Sequence, residues 1–211
     1  MALSDLFSRR RKPDPDREVS AADAPAHPSK ALARFLATLR AKTQPHLLDL
    51  GPVVGSNVTY FGEELGCKIL VEDLAKDIDQ HVRDQKTPEL PAFLATRFPQ
   101  QAGSFDGILC WDVFDFLEKA AAPALARQIV RMLKPGGTVM GFFCSLPAEQ
   151  AAFTKYEIVD DTSLRHRQHN GSGGPRRVLQ NRDIIRMFEG LSVSDSFLLK
   201  GSTREMILRR R

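Results

Sequence analysis

Four short, predominantly apolar runs, at 46–50, 67–71, 105–110 and 138–144, leave this chain few ways to fold. A strand that is apolar on both sides must be covered on both sides, which is the condition of a parallel sheet between two layers of helices. The segments between the runs have helical periodicity. Val58, Phe61 and Leu65 share one face of residues 57–65, and Gly66 stops that helix. Residues 123–133 carry a proline in the first turn of another. Ahead of the first run, Ser29 is a natural N-cap for a helix with Leu32, Phe35, Leu36 and Leu39 on one face. Beyond Ala151 the pattern changes to polar alternation around 156–160, 192–199 and 204–209, as expected of antiparallel strands added at a sheet edge.

A chain of 211 residues is large enough for one domain with a full core. Residues 1–28 mix charge, proline and alanine without apolar periodicity, so they read as a flexible leader to a domain over 29–211. Within the leader, Leu3, Leu6 and Phe7 could form a short docking helix, and the basic run 9–12 reads as a solvated tail. The three cysteines fall in or beside apolar runs, and an odd number so placed suits a reducing compartment. No run reaches the roughly 18 apolar residues that would cross a bilayer, so the expected location is the cytoplasm, without a membrane span. A net charge of +4 permits anionic partners without requiring them.

Chemistry enters where the first apolar run meets its helix, in the stretch LLDLGPVVGSNV. Glycines at such a turn let a ligand approach the backbone, and the helix start presents unpaired amides. Gly51 and Gly55 supply the turn, and Glu72 ends the next strand 21 residues after Gly51, a spacing that suits a carboxylate accepting from two ribose hydroxyls. The structural alternatives are close packing for the glycines, a solvated strand end for Glu72 and helix capping for Asp73. Asp112 and Asp115 stand where a helix would begin, and are equally well read as caps or as active-site acids. Trp111 could stack on a base or fill the core. His166 and His169 have a metal-compatible spacing, but the surrounding Gly, Asn and Pro favour a loop, so no metal is expected. Arg165, Arg167, Arg176 and Arg177 occupy a stretch that contains no acid. They read either as a clamp for an anionic substrate or as a solvated hairpin. With no aromatics among them, a small molecule is favoured over nucleic acid.

Three segments, LLDLGPVVGSNVTYFGEELGCKILVEDL, GSFDGILCWDVFDFL and IVRMLKPGGTVMGFF, resemble in order and spacing the signatures of class I S-adenosylmethionine-dependent methyltransferases. The resemblance implies an α/β, Rossmann-like doubly wound sheet of about seven strands, mostly parallel with an antiparallel C-terminal edge. It implies S-adenosyl-L-methionine as cofactor, with Asp49, Gly51, Val53 and Gly55 at the turn, Glu72 and Asp73 at the second strand end, and Cys110 and Trp111 flooring the site. Asp112 and Asp115 are then the candidates for the base. This chain departs from the pattern at Val53, where the central glycine is expected and a side chain would crowd the cofactor or shift the loop. Leu94 stands where an acid beside the adenine is expected, and Asp115 and Phe116 stand where histidines are common. The alternative implied by these departures is a catalytically degenerate relative that binds a protein partner.

Overall fold

The computed structural model describes residues 24–169, 174–199 and 201–211; the leader through residue 23 and the glycine-rich segment 170–173 lie outside the described residues. The chain opens with β1 (Ala26–Pro28) and α1 (Lys30–Arg40), whose N-cap Ser29 accepts from the Leu32 amide at 3.1 Å. The segment expected to end the leader is thus partly ordered, as a strand. There follow β2 (His46–Asp49), α2 (Gly55–Thr59), β3 (Lys68–Val71), α3 (Leu74–Arg83), α4 (Leu90–Thr96), β4 (Phe105–Trp111), α5 (Ala121–Met132) and β5 (Leu133–Cys144). The chain ends with β6 (Ala148–Ala151), β7 (Thr154–Asp160), β8 (Ser163–Gln168), β9 (Gly174–Arg176), α6 (Asn181–Met187), β10 (Leu191–Leu198) and β11 (Thr203–Arg210).

The main sheet has the order β10-β11-β5-β4-β2-β3, with β3, β2, β4 and β5 parallel and β11 and β10 antiparallel. Successive residues enter opposite layers. Leu48, Ile108 and Val139 face α3, α4 and α5, while Leu47, Leu109 and Met140 face α1. α2 continues as one π-helical turn at Tyr60–Glu64, and Gly66 ends it with a φ of 63° that any other residue would adopt only with strain.

The sheet has six strands where the resemblance implied about seven. The segment between α3 and β4 forms a 3-10 turn and α4, because Pro88 and Pro91 sit in first-turn positions and Leu90 and Leu94 at helical spacing enter the core. β3 is therefore the sheet edge. The KPGG segment forms a bulge inside β5, opposite the step from Phe105 to Gly107.

Two small sheets lie beside the main one. β1, β8 and β7 form an antiparallel unit that presses Tyr156, Ile158 and Leu164 onto the layer of α1. β6 pairs with β9, whose next residue Arg177 donates its amide to the Asp115 carbonyl at 2.7 Å. Among the described residues no helix is long and apolar enough to cross a membrane.

Candidate functional site

The chain leaves β2 toward β3 on one side and later returns to lay β4 on the other side of β2. That reversal opens a crevice at the carboxyl ends of the strands, where ligands of open parallel sheets bind. The ends of β2, β3 and β4 bring Asp49, Gly51, Glu72, Trp111 and Asp112 to this rim.

Asp49 is buried, and a single one of its oxygens accepts from the Gly51 amide at 2.9 Å and the Trp111 indole N–H at 2.6 Å. Burial pushes its carboxyl up to about 6, although both hydrogen bonds pull the other way. Gly51 has no side chain because the indole takes the space. A Cβ there would stand 2.3 Å from Trp111 Cδ1 and 2.9 Å from Nε1. Trp111 itself has a φ of 46°, is 2% exposed, and lies parallel to Tyr156 with ring centroids 5.2 Å apart. Left-handed backbone at a bulky residue is strained, and such strain persists only where surrounding contacts hold it.

The hairpin of β7 and β8 is fastened over the turn. The buried Asn57 side chain donates to the Tyr156 carbonyl at 2.7 Å and accepts from the Ile158 amide at 2.8 Å, replacing two strand partners. Ser56 donates to Glu157 at 3.2 Å. Between turn and hairpin remains a hollow of about 280 Å³, lined by Val53, Gly55, Lys155, Glu157 and Arg167.

At the end of β3, Glu72 is also engaged. Arg97 meets one oxygen at 2.8 Å and Gln100 donates to the other at 3.1 Å. Asp73 accepts from the Lys76 amide and caps α3, its structural alternative. Cys110 turns away from the crevice into the core layer of α3 to α5, where burial drives its thiol pKa far up, so only its main chain can face a ligand. Val53 is 54% exposed and lines the hollow beside the turn. The ring against the glycine turn belongs to Trp111. Leu94 is buried in α4, and the adjoining polar residues at this side of the rim are Arg97 and Gln100.

Beyond β4 lies a second polar group. Both Asp115 oxygens accept from the Cys144 amide, at 3.0 and 3.1 Å, tying the end of β5 to the turn after β4. Asp112 is equally buried. Thr154 and Arg176 draw its pKa down, yet neither oxygen completes a hydrogen bond of ordinary geometry. Burial dominates in both, raising Asp112 to about 6 and Asp115 to about 7. Arg176 reaches toward the pair at 3.7 and 3.8 Å, with its guanidinium above the Phe116 ring.

The run of arginines that contains no acid in sequence is neutralised in space. Arg165 and Arg167 pair with Glu157, Arg176 with Asp112 and Asp115, and Arg177 with Glu118. Their reading as a free anion clamp is corrected accordingly. His166 lies between the rings of His27 and Tyr156, where burial pushes it down to about 4. Among the described residues no group of three His, Cys, Asp or Glu is placed to share a metal.

Asn57, Arg97, Gln100 and Tyr156 were not singled out from the sequence. The one available signal was Asn57, a polar residue at the start of an amphipathic helix. The residue types fit an adenosyl cofactor: a glycine-lined turn, a carboxylate at the end of the adjoining strand and an aromatic ring between them. Gly51, Glu72 and the indole are each already engaged by a partner from the chain itself, while Gly55 is open to the hollow.

A family model described as a methyltransferase domain matches residues 21–189. No curated protein matches at a significant level. Among solved structures, the glycopeptide N-methyltransferase MtfA complexed with S-adenosyl-L-methionine is 15% identical, with a TM-score of 0.50 over 86% of this chain and 93% of that one. A Burkholderia thailandensis 1,6-didemethyltoxoflavin-N1-methyltransferase with its substrate and S-adenosylhomocysteine bound is 16% identical, with a TM-score of 0.50 over 86% and 78% of the two chains. The PH0226 protein of Pyrococcus horikoshii is 13% identical, with a TM-score of 0.53 over 85% and 89%. At these identities the likeness is one of fold.

Proposed function

The chain belongs to the methyltransferase-domain family of class I S-adenosylmethionine-dependent enzymes, and from that premise we propose that it binds S-adenosyl-L-methionine and methylates a small or medium-sized acceptor. The observation that supports this reading most is the crevice itself: Asp49 and Gly51 after β2, and Glu72 after β3, stand where the strand order reverses. Gly51 and Gly55 would leave the backbone bare toward the methionine part, with Asp49 beside them, and Glu72 would accept from the ribose hydroxyls. The cofactor supplies an electrophilic methyl group on a sulfonium. The protein's part is to position the acceptor and remove a proton from it.

Asp112 suits the second task better than Asp115. Asp115 is committed to the Cys144 amide through both oxygens, whereas Asp112 has spare accepting capacity and a pKa near 6. An acceptor with an apolar body and an anionic group would suit the groove of about 970 Å³ between α5 and α6, where Val130, Leu179 and Met187 line the floor and Arg127 and Arg186 stand at the rim. Its mouth begins at Leu117 and Arg177, next in sequence to the acid pair and Arg176.

A degenerate, partner-binding relative is the second reading. One observation favours it: the indole against Gly51 closes the turn where a cofactor would lie. Isothermal titration calorimetry with S-adenosylmethionine and S-adenosylhomocysteine separates the two. Saturable binding of both supports the enzyme, and no heat up to millimolar ligand overturns it.

A further inference from the structure

We infer that Trp111 sets the affinity of this site for its adenosyl ligand: the indole is the internal occupant of the glycine turn, and the ligand binds by exchanging with it. The inference rests on the cofactor reading above and adds to it the identity of the obstacle.

Four independent contacts hold the ring. Its edge covers Gly51 closely enough to exclude a Cβ, and its N–H is spent on Asp49. Its face lies on Tyr156 with planes only 8° apart, and Phe142 meets it edge-on. The hairpin carrying Tyr156 is tied back to α2 by the two Asn57 bonds, so the stack cannot slide away without releasing that hairpin. All of this is held with Trp111 in a left-handed backbone conformation. Strain of this kind offsets part of the cost of releasing the clamp.

The surface that the indole covers is the surface a ligand needs. Gly51 offers bare backbone, and Asp49 its engaged oxygen Oδ1, only after the ring departs. A ligand that recognises the open form alone has its apparent Kd raised by the inverse of the open fraction. Replacing the ring with nothing should remove that factor. Glycine is the replacement of choice because it adopts the observed φ without strain.

Trp111 is the sole tryptophan, so its emission reports this ring alone. The test titrates S-adenosylhomocysteine into the wild type and Trp111→Gly, following heat in both and tryptophan emission with iodide quenching in the wild type. The expected result is a red shift and stronger quenching at saturation, with binding at least tenfold tighter in Trp111→Gly. Binding by Trp111→Gly alone, with a silent wild type, would show the ring to be a permanent obstruction and overturns both the exchange and the cofactor reading of the natural chain. Wild-type binding with unchanged emission, or affinity within twofold in the variant, overturns the exchange and leaves the cofactor reading standing. Absence of binding in both overturns the two together. Should Trp111→Gly fail to fold, Trp111→Phe keeps a ring but loses the bond to Asp49, and its affinity should rise severalfold. An unaltered or absent affinity there overturns the inference.

Discussion

At the ends of β2 and β3, the buried Asp49 and the half-buried Glu72 are each held by two donors from the chain itself, whereas at the end of β4 the buried Asp112 completes no hydrogen bond of ordinary geometry. The first pair is at rest and must give up internal partners before it can serve a ligand. The second site retains accepting capacity in a place where burial makes that expensive. Asp115, three residues on, combines the two conditions: both its oxygens accept from the Cys144 amide, yet burial still raises its pKa to about 7. Acids close in sequence thus have different partners: Asp115 fastens the end of β5 through the Cys144 amide, and Asp112 has no such main-chain partner there.

The sharpest way to break this comparison is to remove the two β4-end acids separately. Asp115→Ala strands the Cys144 amide and half-releases Arg176; because the same carboxyl, raised to about 7, also opposes folding at neutral pH, the destabilisation in urea unfolding should grow as pH falls toward about 4, where protonation removes that opposition. Asp112→Asn should go the other way. A carboxyl raised from its ordinary value to about 6 opposes folding at neutral pH by roughly 3 kcal/mol, and the amide removes that opposition. The sign follows from proton binding: with a folded pKa above the unfolded one, the folded state holds more protons between roughly pH 4 and 6. Stability from this group is therefore full below about pH 4 and lost as pH rises through about 6. Asp112→Asn should flatten that part of the pH–stability curve. Equal losses in the two variants, or a curve unaltered by Asp112→Asn, would erase the distinction.

The smallest effect belongs to Val53. Its side chain is exposed and, unlike the Trp111 ring, does not lie against Gly51, so Val53→Gly should change the affinity for S-adenosylhomocysteine by less than twofold while the added chain entropy costs about 1 kcal/mol. A tenfold gain in affinity by calorimetry would return the obstruction to Val53 and away from Trp111.

Much of the architecture was legible before any coordinates. Apolar runs, proline in a first turn and the stop at Gly66 are local signals, and β2, β3, β4, β5, α1 and α5 fall where those signals put them. The missing seventh strand was legible in part, since Pro88 and Pro91 are poor strand residues and good helix starters. The state of the crevice was not. Nothing local to residue 111 says that its ring lies on Gly51, because the contact depends on β7 arriving more than forty positions later with Tyr156 on its inner face. The arginines of residues 165–177 mislead for the same reason. Counting charges along the chain finds no acids, yet Glu157, Asp112, Asp115 and Glu118 reach them through the fold.

The central claim is that an adenosyl cofactor binds between the glycine turn and the end of β3, with Glu72 exchanging Arg97 and Gln100 for the ribose hydroxyls. The most direct test is the S-adenosylhomocysteine affinity of Glu72→Ala beside the wild type, by calorimetry. Charge-assisted hydrogen bonds contribute about 1.5 to 3 kcal/mol each, so the account predicts a loss of at least tenfold with the fold intact. Wild-type affinity retained in Glu72→Ala would contradict it.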